Sequence, residues 1–227
     1  MNKFLTKKNL YFTAIFTVLG FLALQVPVAQ IVGAKGNFTL FDFFGPLAAS
    51  FIGLVPGLIA IFLTQLANVL VHNTSFFEAA VLIRFFPMLF AAFYFASKSR
   101  FTLIIPIAAM VGFLIHPIGA SAWLYSTFWL IPIIAYFFKD QSLFLRSLGT
   151  TFTAHAVGGV LWLYTFGLSS ETWLALIPVV AKERLMFGVG IMVSYLVFNN
   201  VLAFLTEKKL VRLPFLTDKK YLLGLPK

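Results

Sequence analysis

The sequence predicts an all-α protein, a polytopic transmembrane helical bundle of about six full spans, with a broken pair of short helices and an outer half-helix. Three observations predict it. The 227 residues are 61% hydrophobic and only 11% charged, far outside the usual composition of soluble domains. Two runs carry no formal charge, 29 residues at positions 43–71 and 38 residues at positions 101–138. Finally, 13 of the 17 Lys and Arg residues fall in four groups: Lys3, Lys7 and Lys8; Lys98 and Arg100; Lys139 and Arg146; and Lys208, Lys209, Arg212, Lys219, Lys220 and Lys227. These groups alternate with loops poor in basic residues. That is the positive-inside pattern, and it predicts a multi-pass protein of the cell membrane with both termini cytoplasmic.

Residues 1–206 read as one transmembrane domain and residues 207–227 as a basic cytoplasmic tail, which leaves no room for a separate soluble domain. The first span is expected at residues 10–32. It is too long for the apolar core of a signal peptide and lacks a small-residue cleavage site, so it should remain in the protein. An outer turn follows at residues 34–37. The uncharged run at 43–71 would reach roughly 43 Å as one helix, against about 30 Å of hydrocarbon. Two full spans would need about 40 residues. Gly45-Pro46 and Gly53-Leu54-Val55-Pro56-Gly57 sit where a break is needed. The run is therefore expected as a short or re-entrant helix, residues 39–53, and a longer one, residues 54–71, with the break near the cytoplasmic side.

A span at residues 77–96 leads back to Lys98 and Arg100. The second uncharged run would be about 57 Å long as one helix, so it is expected as two spans with an outer turn at His116-Pro117-Ile118-Gly119-Ala120-Ser121. Another span is expected at residues 147–170. Pro178 and Lys182-Glu183-Arg184 should divide the last stretch into an outer half-helix, residues 172–181, and a final span, residues 185–206. The basic, amphipathic tail should lie on lipid headgroups.

Polar groups inside a membrane are costly and usually face the protein interior. Gln65, Asn68 and His72 are spaced three and then four apart, which places them on one helix face. Arg84 lies about 9 Å deeper than Glu78 on one span, with Asp42, Glu171, Glu183 or an anionic ligand as possible partners. Thr151, His155, Gly159 and Trp162 share another face, suited to an aromatic or planar ligand. Arg184, Gly188, Met192, Tyr195 and Asn199 run along the final span. Interhelical hydrogen bonding and tight packing would explain each of these stripes without a ligand.

Other chemistries are poorly served. There is no cysteine, which excludes disulfides and thiolate metal sites. His72, His116 and His155 could hold zinc, nickel or cobalt, but none lies in a metal-ligand motif. No P-loop and no serine nucleophile elbow occurs. The net charge of +10 does not point to nucleic acid, because no aromatic and basic residues interleave outside the spans.

Phe41-Asp42-Phe43-Phe44-Gly45-Pro46 and Gly53-Leu54-Val55-Pro56-Gly57, after a first span that begins just past Lys7-Lys8, resemble the substrate-binding subunits of energy-coupling-factor vitamin transporters. In that family an acidic residue and a proline start a short second helix, and a Gly/Pro-rich turn leads into the third. Glu171-Thr172-Trp173-Leu174-Ala175-Leu176-Ile177-Pro178 is similar to its outer half-helix. The resemblance covers the first third and the last quarter of the chain. The chain departs from the family's Ala-x-x-x-Ala pair on the first helix: Val18 stands four after Ala14, and the nearest small pair is Thr13 and Thr17.

The resemblance implies a protein that binds a vitamin or nucleobase-like micronutrient from outside. A separate membrane coupling subunit and ATPase subunits would energise it, and no cofactor or catalytic residue would be needed. The expected substrate-binding residues are Asp42, Gln65, Asn68, His72, Arg84, His155, Trp162, Glu171 and Arg184. Two alternatives stand beside this reading. One is an intramembrane enzyme or metal-handling protein built on the three histidines. The other is a structural or channel subunit.

Overall fold

The computed structural model describes residues 7–30, 37–75, 78–209 and 216–223. The expected turn at residues 34–36, position 77 of the expected third span, and tail residues 210–215 and 224–227 lie outside the described residues, as do Lys3, Arg212 and Lys227 of the basic groups.

The first helix is shorter than expected. Helix α1 covers Lys7–Leu24 rather than reaching residue 32. Pro27 explains the stop: it lacks an amide hydrogen and pushes the residue before it out of the helical region. Gln25 donates to the Phe21 carbonyl at 3.0 Å, satisfying one of the last helical acceptors. The chain then forms strand β1, Pro27–Gln30, antiparallel to β2, Asn37–Thr39. Pro27 pairs with Thr39, Ala29 with Phe38 and Gln30 with Asn37. This two-stranded hairpin corrects the all-α expectation in one place.

The broken pair forms as expected. Helix α2, Phe41–Phe44, continues through a 3-10 turn at Gly45–Leu47 into α3, Ala48–Ile52. Gly53 then adopts φ 94° and ψ 156°, a backbone region open essentially to glycine alone. Helix α4 follows, Leu54–Val71. A Cβ on Gly57 would run into the backbone of Ala49, so α3 and α4 cross in main-chain contact. The sequence needs glycine there for closeness, not for flexibility.

Helix α4 also packs along α1. Thr17 donates to the Ala60 carbonyl at 3.4 Å, and Thr64 donates to the Thr17 carbonyl at 3.3 Å. Thr13 is buried on the same side. The Thr13 and Thr17 pair is therefore used inside the bundle. The outward face of α1 is instead apolar, with Leu10, Tyr11, Ile15, Val18 and Leu22 exposed.

Helices α5, Ala79–Ala96, and α6, Phe101–Leu114, follow. The expected turn near His116 is present. Beyond it lie the short helices α7, Pro117–Ser121, α8, Trp123–Ser126, and α9, Leu130–Tyr136, rather than one continuous span. Helix α10, Leu143–Phe166, is central and packs on α5, α6, α9 and α12. Helix α11, Ser170–Ala175, leads into α12, Ile177–Glu207.

Three helices, α4, α5 and α12, are long and apolar enough to cross a membrane. Helix α10 has the length, 24 residues, but not the apolarity. Its Ser147, Thr150, Thr151 and Thr153 side chains are buried against other helices. The other apolar helical stretches, Asn9–Leu24 of α1 among them, are shorter. By length and composition alone three helices meet that criterion, which does not confirm the expected count of about six full spans.

The final helix also differs. Lys182-Glu183-Arg184 does not divide it; these residues lie inside one 31-residue helix. The Arg184 side chain turns inward, where the Phe38 and Phe187 rings lie 4.8 and 4.5 Å from its guanidinium carbon. An arginine sheltered this way does not have to end the helix. Pro178 fits the first turn of α12, where its missing amide hydrogen costs nothing.

Lys98, Lys139, Arg146 and Lys220 collect at one end of the bundle. Lys139 donates to the Tyr94 and Ser97 carbonyls at 3.2 and 2.8 Å, closing the carboxyl end of α5. Lys98 pairs with Asp140 at 3.7 Å, an exposed pair contributing little. Arg146 donates to the Phe95 carbonyl at 2.7 Å. The break at Gly53 lies at the same end, since the Leu216 amide bonds to the Phe51 carbonyl at 3.0 Å.

Residues 216–223 of the tail dock on the bundle. Asn199 donates to the Asp218 carbonyl at 3.0 Å and accepts from its amide at 2.7 Å. Asn200 does the same for the Tyr221 carbonyl and Leu223 amide, at 2.9 and 2.6 Å. Lys220 donates to the Asp140 and Gln141 carbonyls, both at 3.0 Å. Each such bond contributes about 1 kcal/mol. The N199A/N200A variant should release this segment. Trypsin cleavage after Lys219 and Lys220, which tracks the open population, should then accelerate by more than roughly tenfold. Limited proteolysis read by mass spectrometry checks this; an unchanged rate would show that the asparagines do not hold the tail.

Candidate functional site

Opposite the basic end, a cavity of about 280 Å³ opens among the ends of α1, α4, α5, α10 and α12, the β2–α2 junction and α11. Its size is near the lower limit for small-molecule sites, roughly 300–1,000 Å³. Of the expected site residues, Asp42, Gln65, Asn68, Arg84, His155, Trp162 and Arg184 line it. They come from five separate segments, brought together by the bundle.

His72 and Glu171 do not line it. His72 caps the carboxyl end of α4, its Nδ1 3.0 Å from the Asn68 carbonyl oxygen. Glu171 is exposed in the first turn of α11. A hydrogen bond from its own amide, and a second with Ser169, hold its carboxyl below the usual range. It serves the helix terminus, where free amides favour an anion.

The carboxylates of the site have local duties. Asp42 Oδ2 accepts from the Thr39 amide at 2.7 Å and from the Thr39 hydroxyl at 3.3 Å, locking β2 to α2. Glu183 lies 3.5 Å from Arg184 Nη2. Arg184 Nη1 donates to Thr151 Oγ1 at 3.3 Å. Among the described residues Arg84 forms no ion pair, and Glu78 is not its partner.

The polar stripe on α4 is split. Asn68 Oδ1 accepts from Gln25 Nε2 at 3.1 Å, tying α1 to α4. Gln65 is buried against the cavity without a side-chain hydrogen bond among the described residues. On α10 the expected stripe is used mainly by His155. Its Nδ1 lies 3.1 Å from the Trp129 indole nitrogen, and its Nε2 lies 2.8 Å from the Tyr125 hydroxyl. Gly159 makes room for the Trp129 ring, since a Cβ there would stand 2.8 Å from it.

Sequence reasoning missed the aromatic frame. Phe38, Tyr125 and Trp173 line the cavity, and Trp129 backs it through His155. Trp173 is buried, its ring 4.8 Å from Tyr125 and 5.3 Å from Phe113. Among 29 Phe, 7 Tyr and 4 Trp, residue type alone does not mark these out. Trp173 and Glu183 lie in the segments already tied to the half-helix and Arg184, and that proximity was the available clue.

The three histidines do not converge. His116 starts α7, accepting from the Ile118 amide at 3.3 Å, and its ring meets Tyr164 edge-on. Among the described residues no group of three His, Asp or Glu could hold a metal. The two carboxylates that line the cavity, Asp42 and Glu183, are engaged with Thr39 and Arg184. What the arrangement offers is recognition: rings, amide groups and cationic donors around a small space. Comparison with protein-family models, curated proteins and solved structures found no match for this chain.

Proposed function

We propose that the chain is the membrane-embedded substrate-binding subunit of an uptake system for a small water-soluble micronutrient, vitamin or nucleobase-like. The cavity is the observation that carries this reading. It has the size of a small-molecule site, and its lining combines Trp162, Phe38 and Trp173 rings with Gln65, Asn68, Arg84 and Arg184. Such a mixture of apolar walls and a few convergent polar groups is what small-ligand sites use.

The positive-inside rule supports the direction of binding. With Lys98, Lys139, Lys208 and Lys220 on the cytoplasmic side, the cavity faces outward. Both termini are then cytoplasmic, and the protein is a multi-pass component of the cell membrane. Nothing in the chain supplies energy, so a membrane coupling subunit and ATPases are its partners. The apolar outer face of α1 suits either lipid or that membrane partner.

A thermal-shift screen of the detergent-solubilised chain against vitamins, nucleobases, amino acids and divalent metals tests the reading. A ligand at a hundred times its Kd adds about 2.7 kcal/mol, which raises Tm by roughly 5–10 °C for a chain of this size. At least one vitamin or nucleobase should do so. A panel without any shift defeats the proposal, and a shift by metal alone favours metal handling.

A further inference from the structure

We infer that the cavity takes an uncharged planar ring carrying a cyclic imide, a C=O, N–H, C=O edge held by the side-chain amides of Gln65 and Asn68. This inference rests on the reading that the cavity takes a small soluble molecule.

Gln65 carries the polar group that the chain leaves unanswered. It is 8% exposed and lines the cavity, and its amide forms no hydrogen bond among the described residues. Partnerless side-chain atoms sealed inside the protein, among the described residues, belong to Ser50, Ser147, Trp173 and Arg184. The Gln65 amide is not sealed in this way, so what surface it keeps opens on the cavity. A primary amide has an acceptor oxygen and two donor hydrogens. Whatever displaces water from it must therefore both donate and accept.

Asn68 lies one turn further along α4 and also lines the cavity. Its orientation follows from its partner. Gln25 donates to the Phe21 carbonyl at 3.0 Å, which fixes the donating atom as the amide nitrogen. That nitrogen also lies 3.1 Å from Asn68, so the Asn68 atom facing it is the oxygen. The Asn68 NH2 is left without a partner among the described residues. The two amides then offer an Asn68 N–H, a Gln65 C=O and a Gln65 N–H. The matching edge is a ring N–H flanked by two carbonyls, the cyclic imide of a 2,4-dioxopyrimidine. A carboxylate has no donor for the Gln65 oxygen.

Charge points to a neutral ligand. Arg84 and Arg184 line the cavity, and so do Asp42 and Glu183. His155 adds no charge, because its Nδ1 accepts from the Trp129 indole at 3.1 Å and a ring with a free lone pair is neutral. The formal charges cancel, so a net charge on the ligand would go uncompensated. Glu183 already serves Arg184 at 3.5 Å. Arg84 is exposed and stays hydrated, so it does not require an anion. Trp162 and Phe38 line the same space and offer faces to a flat ring.

Methylated pairs read this edge in the full-length, detergent-solubilised chain. The probes are uracil with 1-methyluracil and 3-methyluracil, phthalimide with N-methylphthalimide, and lumazine with 3-methyllumazine. Orotate, uracil with a carboxylate, is the charged control. In at least one series the free imide should bind about tenfold tighter than the form methylated on the imide nitrogen. Within the uracil series, 1-methyluracil keeps the edge and should bind like uracil, and orotate should bind more weakly. Gln65→Leu should erase the preference and leave Tm unchanged or raised, because it removes an unpaired buried amide. An N-methylated imide that binds as well as its parent overturns the imide assignment, and orotate binding as well as uracil overturns the neutral ligand; the uptake reading survives both. A micronutrient without an imide that binds when no imide does has the same consequence as the first. If neither these probes nor the micronutrient panel binds, both readings fall. A preference unchanged in Gln65→Leu, or a large loss of Tm, overturns the role given to Gln65. The methylation series in the native chain decides the ligand class whether or not that variant folds.

Discussion

Gly57→Leu is expected to abolish the folded protein, and even Gly57→Ala should lower its stability by at least ~3 kcal/mol, beyond the usual 1–3 kcal/mol of overpacking. The reason is the identity of the neighbour. A Cβ at this position meets the Cα and amide nitrogen of Ala49, and backbone atoms of a packed helix do not rotate aside as a side chain can. Relief would require moving α3 away from α4. That would also disturb Leu47, Phe51 and Ile61, which are nearly or fully buried in the core. Since domains hold only about 5–15 kcal/mol in total, the loss is severe.

A control isolates the cause. At Gly112, a Cβ would stand 3.5 Å from a methyl of Val160, ordinary van der Waals contact. Gly112→Ala should be neutral or gain up to about 1 kcal/mol, because alanine loses less entropy in a helix. Melting temperatures of the two variants in one detergent give the comparison. If Gly57→Ala melts with the native chain, the close crossing of α3 and α4 is wrong.

The break at Gly53–Gly57 was legible because its cause is local. Helices of given length have a fixed rise, and Gly and Pro are the residues that interrupt them. The same holds for the turn after Leu114 and for the shared faces of α4 and α10, which follow from 3.6-residue periodicity. The hairpin was not legible. Residues 25–32 are apolar enough to extend a span, and strand pairing depends on a partner, Asn37–Thr39, that hydropathy does not reveal. Lys182-Glu183-Arg184 misled for a related reason. Charge predicts a boundary only when water is the cheapest place for it, and Arg184 instead finds Thr151, Glu183 and two phenyl rings. His72 and Glu171 matched the expected residue types but serve helix ends. The choice between cavity and cap is tertiary, set by which way a helix terminus faces.

Aromatic residues mark the limit of the sequence most clearly, and His155 tests how far their arrangement matters. His155→Phe keeps a ring of similar size and removes both nitrogens. The Trp129 indole N–H and the Tyr125 hydroxyl, in residues 0% and 3% exposed, then lose their partners. At about 1–3 kcal/mol for each buried group left unsatisfied, the variant should lose several kcal/mol and several degrees of Tm. His155→Gln offers an acceptor and donors again, so it should recover part of that loss. The deficit should also be coupled: combining His155→Phe with Trp129→Phe removes the stranded indole donor, so the double variant should be more stable than the two single losses added together. Simple additivity would show that the indole and imidazole do not interact.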